Sequence, residues 1–138
     1  MARTLFVCTG NTCRSPMAER LARHDFPQHH WESAGVKTWR TGISPWAGMV
    51  LDSWGVDHAG FLSRQLEDVA PEGFDHVVLI GDKAQALCPA LPESVTVHRW
   101  DVDDPLTDDS MSDAERLPIY AATAEELRKR IAALAGSW

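Results

Sequence analysis

Apolar positions along this chain fall into short unbroken runs that alternate with stripes at helical spacing. Leu5-Phe6-Val7 is a bulky apolar run ending at Cys8, the pattern of a buried strand. Ser15-Pro16 then opens a helix to about His24, with Ser15 as N-cap, Pro16 at the first helical position and Met17, Ala18, Leu21 and Ala22 on one face. A second strand spans His29 to Gly35. Ser44-Pro45 starts another helix whose apolar face is Trp46, Val50, Leu51 and Trp54, stopped by Gly55. Ser63 caps a short turn through Val69 before the Pro71-Glu72-Gly73 break. Asp75 to Ile80 is the third strand, Asp82 caps a helix to about Leu87, and Val95 to Arg99 is the fourth strand. Trp100 to Met111 is too rich in Asp, Ser and Thr to be regular. Pro118 opens a last helix, where Tyr120, Ala124, Leu127, Ile131 and Leu134 recur every three or four residues.

Strands alternating with helices predict an α/β fold, a doubly wound four-stranded parallel sheet with helices on both faces, flavodoxin-like. Residues 1–138 suit a single domain. Ligands of such sheets sit beyond the carboxyl ends of the strands, where Cys8 falls.

The loop between the first strand and the first helix therefore carries the candidate chemistry. It begins with Cys8 and closes with Arg14, enclosing Thr9, Gly10, Asn11, Thr12 and Cys13. A strand–loop–helix of this kind aims backbone N–H groups and a positive helix end at one point, which suits an anion. The same field should make Cys8 unusually acidic and nucleophilic. Arg14 offers a planar fork that grips two oxygens of a tetrahedral oxyanion. Gly10 and Asn11 tolerate the positive φ that an inward-curling loop needs. A thiolate attacking a phosphate ester also needs a proton donor for the departing oxygen. Asp104 of Asp104-Pro105 is the candidate. Its acidic neighbours Asp101, Asp103, Asp108 and Asp109 should raise its pKa toward the working range.

The segment Cys8-Thr9-Gly10-Asn11-Thr12-Cys13-Arg14-Ser15-Pro16-Met17-Ala18-Glu19 resembles the signature of the low-molecular-weight protein tyrosine phosphatase superfamily. That superfamily also contains thioredoxin-coupled arsenate reductases and bacterial protein-arginine phosphatases. The resemblance implies the same flavodoxin-like fold and a general acid in an Asp-Pro pair at Asp104. It implies catalytic roles for Cys8, Arg14, Asp104 and Ser15, with Ser15 stabilising the thiolate, and oxyanion binding by the loop from Thr9 through Ser15. Asn11 and Ser33 match positions that hold the loop in shape. Glu19 corresponds to a residue that helps bind potassium in some arsenate reductases, and Arg64 stands near another ligand of that ion, as a built-in cation.

Net charge narrows the partners. At −7, the chain argues against nucleic acid or an anionic membrane surface, and it predicts a small positive mouth on an acidic molecule. No apolar run approaches a membrane span, and the N-terminus reads as a strand rather than a signal peptide. Three cysteines make no disulfide framework, which fits a reducing cytoplasm. The six histidines show no metal spacing with Cys8, Cys13 or Cys88, and no metal or other cofactor is assigned. His29-His30 is read as a strand edge. Trp39 is either a packing tryptophan or an aromatic wall for substrate.

Two enzymatic branches remain. Cys88-Pro89-Ala90-Leu91-Pro92, Trp100 and Asp103-Asp104-Pro105 resemble, at the same spacing, the segment carrying the last redox cysteine of the arsenate reductases. The intermediate cysteine of those enzymes falls at Gly81. Cys88 would then have to reach Cys8 directly, Cys13 would have to substitute, or thioredoxin or a low-molecular-weight thiol would resolve the adduct. The alternative is a protein phosphatase acting on phosphotyrosine or phosphoarginine through a Cys8 phosphocysteine. Trp39 matches its aromatic position, and Thr12, Ile119-Tyr120 and Thr123 to Leu127 resemble the arginine phosphatases. Leu106-Thr107, where tyrosine phosphatases place aromatic residues, argues the other way. Arsenate reduction is narrowly favoured. A non-enzymatic third reading is a redox module with a reversible Cys8–Cys13 disulfide.

Overall fold

The computed structural model describes every residue except Arg40 and Leu106. Four strands, β1 (Arg3–Cys8), β2 (His30–Gly35), β3 (His76–Ile80) and β4 (Thr96–Trp100), form one sheet in the order β2-β1-β3-β4. Every pairing is parallel, with Cys8 opposite Gly35 and Val7 opposite Leu79. The predicted fold class is the observed one.

Alternation along β1 divides the core. Phe6 and Cys8 face helices α1 (Arg14–Asp25), α2 (Pro45–Ser53) and α4 (Asp113–Ala135), with Met17, Leu21, Leu51, Leu127 and Ile131 among their neighbours in that layer. Leu5 and Val7 face the opposite layer, closed by Ala84 of α3 (Asp82–Leu87) and by Leu66 and Phe74 beside two short 3-10 turns. Trp31 stacks on Phe6 at 5.7 Å and on the C-terminal Trp138 at 5.6 Å, joining the sheet to the chain's end.

Several helix starts differ from the sequence reading. α1 begins at Arg14, with Cys13 in the N-cap position and no side-chain cap. Ser15 already lies inside the helix, and its hydroxyl is turned toward Cys8. α4 begins at Asp113, five residues before Pro118, because Ser112 and Glu115 form a reciprocal capping box. Pro118 is accommodated within its exposed early turns. Asp82 does not cap α3; Gly81 holds that position at φ 88°, ψ 165°. Ser63 does not cap the Leu66–Asp68 turn but donates to the carbonyl of Asn11 at 2.6 Å. Trp100 belongs to β4 rather than to the loop that follows.

Candidate active site

The loop leaving β1 is held by its carbonyls. Val36 N–H donates to Cys8 O at 3.0 Å, Lys37 N–H to Thr9 O at 2.9 Å and Ser44 N–H to Thr12 O at 2.7 Å. Ser63 takes the Asn11 carbonyl, and Met17 N–H takes that of Cys13 at 3.0 Å. Among the described residues, the amides of Thr9 through Cys13 have no protein acceptor. A loop with five of its carbonyls, those of Cys8, Thr9, Asn11, Thr12 and Cys13, engaged by its surroundings keeps its donors for an anion.

Asn11 is the keystone. It is the one described non-glycine residue with positive φ, 54°, whereas Gly10 does not use that freedom. Its fully buried amide donates to Ser15 Oγ at 2.8 Å and to Ser33 Oγ at 3.0 Å, while its Oδ1 accepts Arg64 N–H at 2.9 Å. Because Asn11 donates to both hydroxyls, each serine is left to pass its own proton onward. Ser33 donates to Glu19 Oε1 at 3.0 Å, and Ser15 Oγ lies 2.9 Å from Cys8 Sγ. The relay ends with a hydroxyl that can donate to the sulfur. The network brings Asn11 and Ser33 together and adds Ser63 through its hydroxyl and Arg64 through its main-chain amide, partners different from the turn cap and the built-in cation that the sequence suggested for them.

Arg14 is 4% exposed. Its Nη1 donates to Val102 O at 2.8 Å, Nη2 to Thr9 Oγ1 at 3.4 Å, and Nε lies 2.9 Å from Asp104 Oδ1. That last contact is a charge pair without hydrogen-bond alignment, since Nε has no aligned acceptor. Asp104, 60% exposed, stands at the mouth, so the structure brings Cys8, Arg14, Ser15 and Asp104 to one place. The cleft between them measures about 320 Å³, with Trp39, Trp46 and Tyr120 also on its walls. Trp39 is 66% exposed, and its ring lies against the loop: a Cβ on Gly10 would come within 3.3 Å of it. It is a rim residue, not a core one. The comparison based on Leu106 lies outside the described residues. A larger open groove of about 740 Å³ runs from Asp104 and Pro105 along Ile119 and Ala122 but contains no nucleophile.

The other cysteines differ sharply. Cys13 shares the cleft, and burial, together with the Cys8 and Asp104 charges, pushes its thiol well above the ordinary range despite Arg14. It is therefore a thiol, not a thiolate, at neutral pH. Cys88 packs with the opposite layer of the sheet from Cys8, beside Leu91 and Val97, and burial raises its pKa as well. The structure does not bring Cys88 to Cys8. Around Glu19, charge is supplied by Arg20 Nε at 2.9 Å and Arg23 Nη2 at 3.8 Å. Arg64 instead donates to Ser33 O at 3.2 Å and pairs with Glu32 at 2.7 Å. Among the described residues, no cluster of three or more His, Cys, Asp or Glu side chains could hold a metal.

Comparison with known proteins assigns the class that this fold and loop define. The chain belongs to the low molecular weight phosphotyrosine protein phosphatase family, whose model matches residues 3–137. Within it, the chain is 36% identical to arsenate reductase 1 of Staphylococcus epidermidis over 102 residues, 72% of this chain and 75% of that protein. An arsenate reductase from Archaeoglobus fulgidus superposes with a TM-score of 0.78 at 28% identity, over 97% of this chain and 99% of that one. A low molecular weight protein tyrosine phosphatase from T. tengcongensis gives 0.75 at 29% identity over the whole of both chains.

Proposed function

We propose that this enzyme reduces arsenate to arsenite. The observation that carries the reading is Cys8 Sγ at the floor of an oxyanion-sized loop, 2.9 Å from a serine hydroxyl, beside a buried guanidinium. The resemblance to named arsenate reductases supports this branch.

Cys8 thiolate attacks As(V), forming a sulfur–arsenic bond while one arsenate oxygen leaves as water with a proton from Asp104. The loop amides and Arg14 hold the remaining oxygens. A second thiolate then attacks Cys8 sulfur. The sulfur–arsenic bond breaks with its electron pair going to arsenic, which leaves as As(III), and a disulfide forms. Cys88, on the far layer, is poorly placed for that attack. The second thiol comes from a reductant entering the cleft, either a dithiol protein of thioredoxin type or a small thiol. Another thiol of the same reductant frees Cys8, so two thiols become one disulfide for each arsenate reduced. Three free cysteines suit a reducing cytoplasm. No helix among the described residues is long and apolar enough to cross a membrane.

Trp39 against the loop and Asp104 at the mouth favour a second reading, hydrolysis of an aryl phosphate or phosphoarginine through a phosphocysteine. One experiment separates them. Purified protein is given arsenate with thioredoxin or with a small thiol, and arsenite is measured beside release of phosphate from aryl phosphate and phosphoarginine. Arsenite formation that disappears in Cys8→Ser supports the proposal. Phosphate release without arsenite under either reductant gives the site to the phosphatase reading.

A further inference from the structure

The carboxyl end of β3 meets the site at Gly81, and this glycine is enclosed rather than open. A Cβ built on it would lie 2.0 Å from Arg14 Nη1 and 3.1 Å from its Cζ, with the Val102 carbonyl 3.4 Å away. The guanidinium thus rests in the volume that any other residue's side chain would fill. Its Nη1 there donates to Val102 O, two residues before Asp104, while Nε faces the Asp104 carboxylate. Arg14 thereby ties the oxyanion loop to the loop carrying the proton donor, and the tie depends on position 81 having no side chain. The backbone of Gly81, φ 88° and ψ 165°, lies in a region open essentially to glycine alone.

The geometry points to Gly81 as a positioning residue for Arg14. Its missing side chain seats the guanidinium that holds the oxyanion and fixes the Asp104 loop. The guanidinium is the end of a flexible side chain, so the clash with a methyl group at 81 is relieved by displacing Arg14, and that part of the loss falls on anion binding, while the backbone strain at 81 is the same whatever stands at position 14. The seat is equally closed to a cysteine. A thiol at the end of β3 and Arg14 in this pose exclude each other.

The test is a double-mutant cycle that requires no turnover, so its outcome is independent of whether the enzyme reduces arsenate. Wild type, Gly81→Ala, Arg14→Ala and the double variant are compared by thermal midpoint. In wild type and Gly81→Ala, inorganic phosphate is titrated for its protection of Cys8 against alkylation, read by peptide mapping. Losing a hydrogen bond to a charged group is worth a factor of about ten, so Gly81→Ala should weaken phosphate protection by about tenfold or more. Its loss of thermal midpoint should shrink when Arg14 is already alanine. Should Gly81→Ala fail to fold, recovery of folding in the double variant supports the assignment and its absence overturns it. Phosphate protection within twofold of wild type, or an equal drop in midpoint in both arginine backgrounds, would reduce Gly81 to a backbone requirement with no bearing on Arg14.

Discussion

At the scale of single residues, the proposed mechanism separates charge storage from proton delivery. Ser15 lies against the sulfur at the buried floor, and Asp104 stands at the open mouth with its carboxylate facing Arg14 Nε. A donor at the mouth acts on the leaving oxygen, not on the nucleophile. Asp104→Asn should therefore slow phosphate release from an unactivated alkyl or phenyl ester by about a hundredfold more than from an activated aryl ester, within the usual range for a general acid. Steady-state rates on the two esters check this, and equal slowing would remove Asp104 from the role. Cys13 illustrates how neighbours of the same chemistry are kept apart. The charges on Cys8 and Asp104 add to burial in holding its proton, so one sulfur of the loop is kept from competing with the other.

At the scale of elements, the helix starts carry the clearest local energetics. Ser112 Oγ accepts Glu115 N–H at 3.2 Å, and Ser112 N–H donates to Glu115 Oε1 at 3.0 Å. Ser112→Ala should lower stability by about 1 kcal/mol, measured by denaturant midpoint at unchanged slope, while Ser112→Asp should retain most of it. This helix also shows what a sequence conceals. Ser112-Asp113-Ala114-Glu115 spells a capping box, yet Pro118 reads as the stronger punctuation because proline favours a first helical position. The strands were legible because Leu5-Phe6-Val7 and Val77 to Ile80 are continuous apolar runs, and a run buried on both faces has few alternatives. Cys8, Arg14 and Asp104 were legible because their chemistry depends on residue type at fixed spacing. Arg64 was read for its cation and Val102 not at all, since a backbone amide and a backbone carbonyl make their contacts with Asn11 and Arg14. Ser15 was half legible: its place beside the sulfur followed from resemblance, but its assignment as a cap misjudged which partner its hydroxyl takes.

At the scale of the molecule, the two ends of the sheet are built differently. The carboxyl end holds the anion loop, while the amino end gathers His76, His98 and Trp138. His76 Nδ1 and His98 Nε2 are 3.0 Å apart, and His76 stacks on Trp138 at 4.7 Å. Two imidazoles at that distance require that at least one be neutral. Burial lowers the pKa of both, and His76 lowers that of His98 further, while Asp75 partly opposes this at His76. The unfolded chain therefore binds these protons more readily than the folded one, so the pair's contribution is intact above the ordinary imidazole value of about 6.5 and is lost as pH falls through the lower folded values. Melting midpoints from pH 8 to 5 should fall more steeply for wild type than for His98→Asn. Parallel curves would remove the pair as the cause.

The central strand β1 delivers Cys8 between two neighbours, one finishing in glycine and the other followed by one. Gly35 of β2 underlies the loop so closely that a Cβ would come within 2.8 Å of Thr9 O, and Gly81 follows β3 on the other side. At these two positions the pocket leaves no room for a side chain, whereas Trp39, Trp46 and Thr107 line its mouth from separate segments. A change of diet in this lineage has to be written overhead. Libraries seeking new substrates should randomise those three positions and leave the two strand-end glycines untouched.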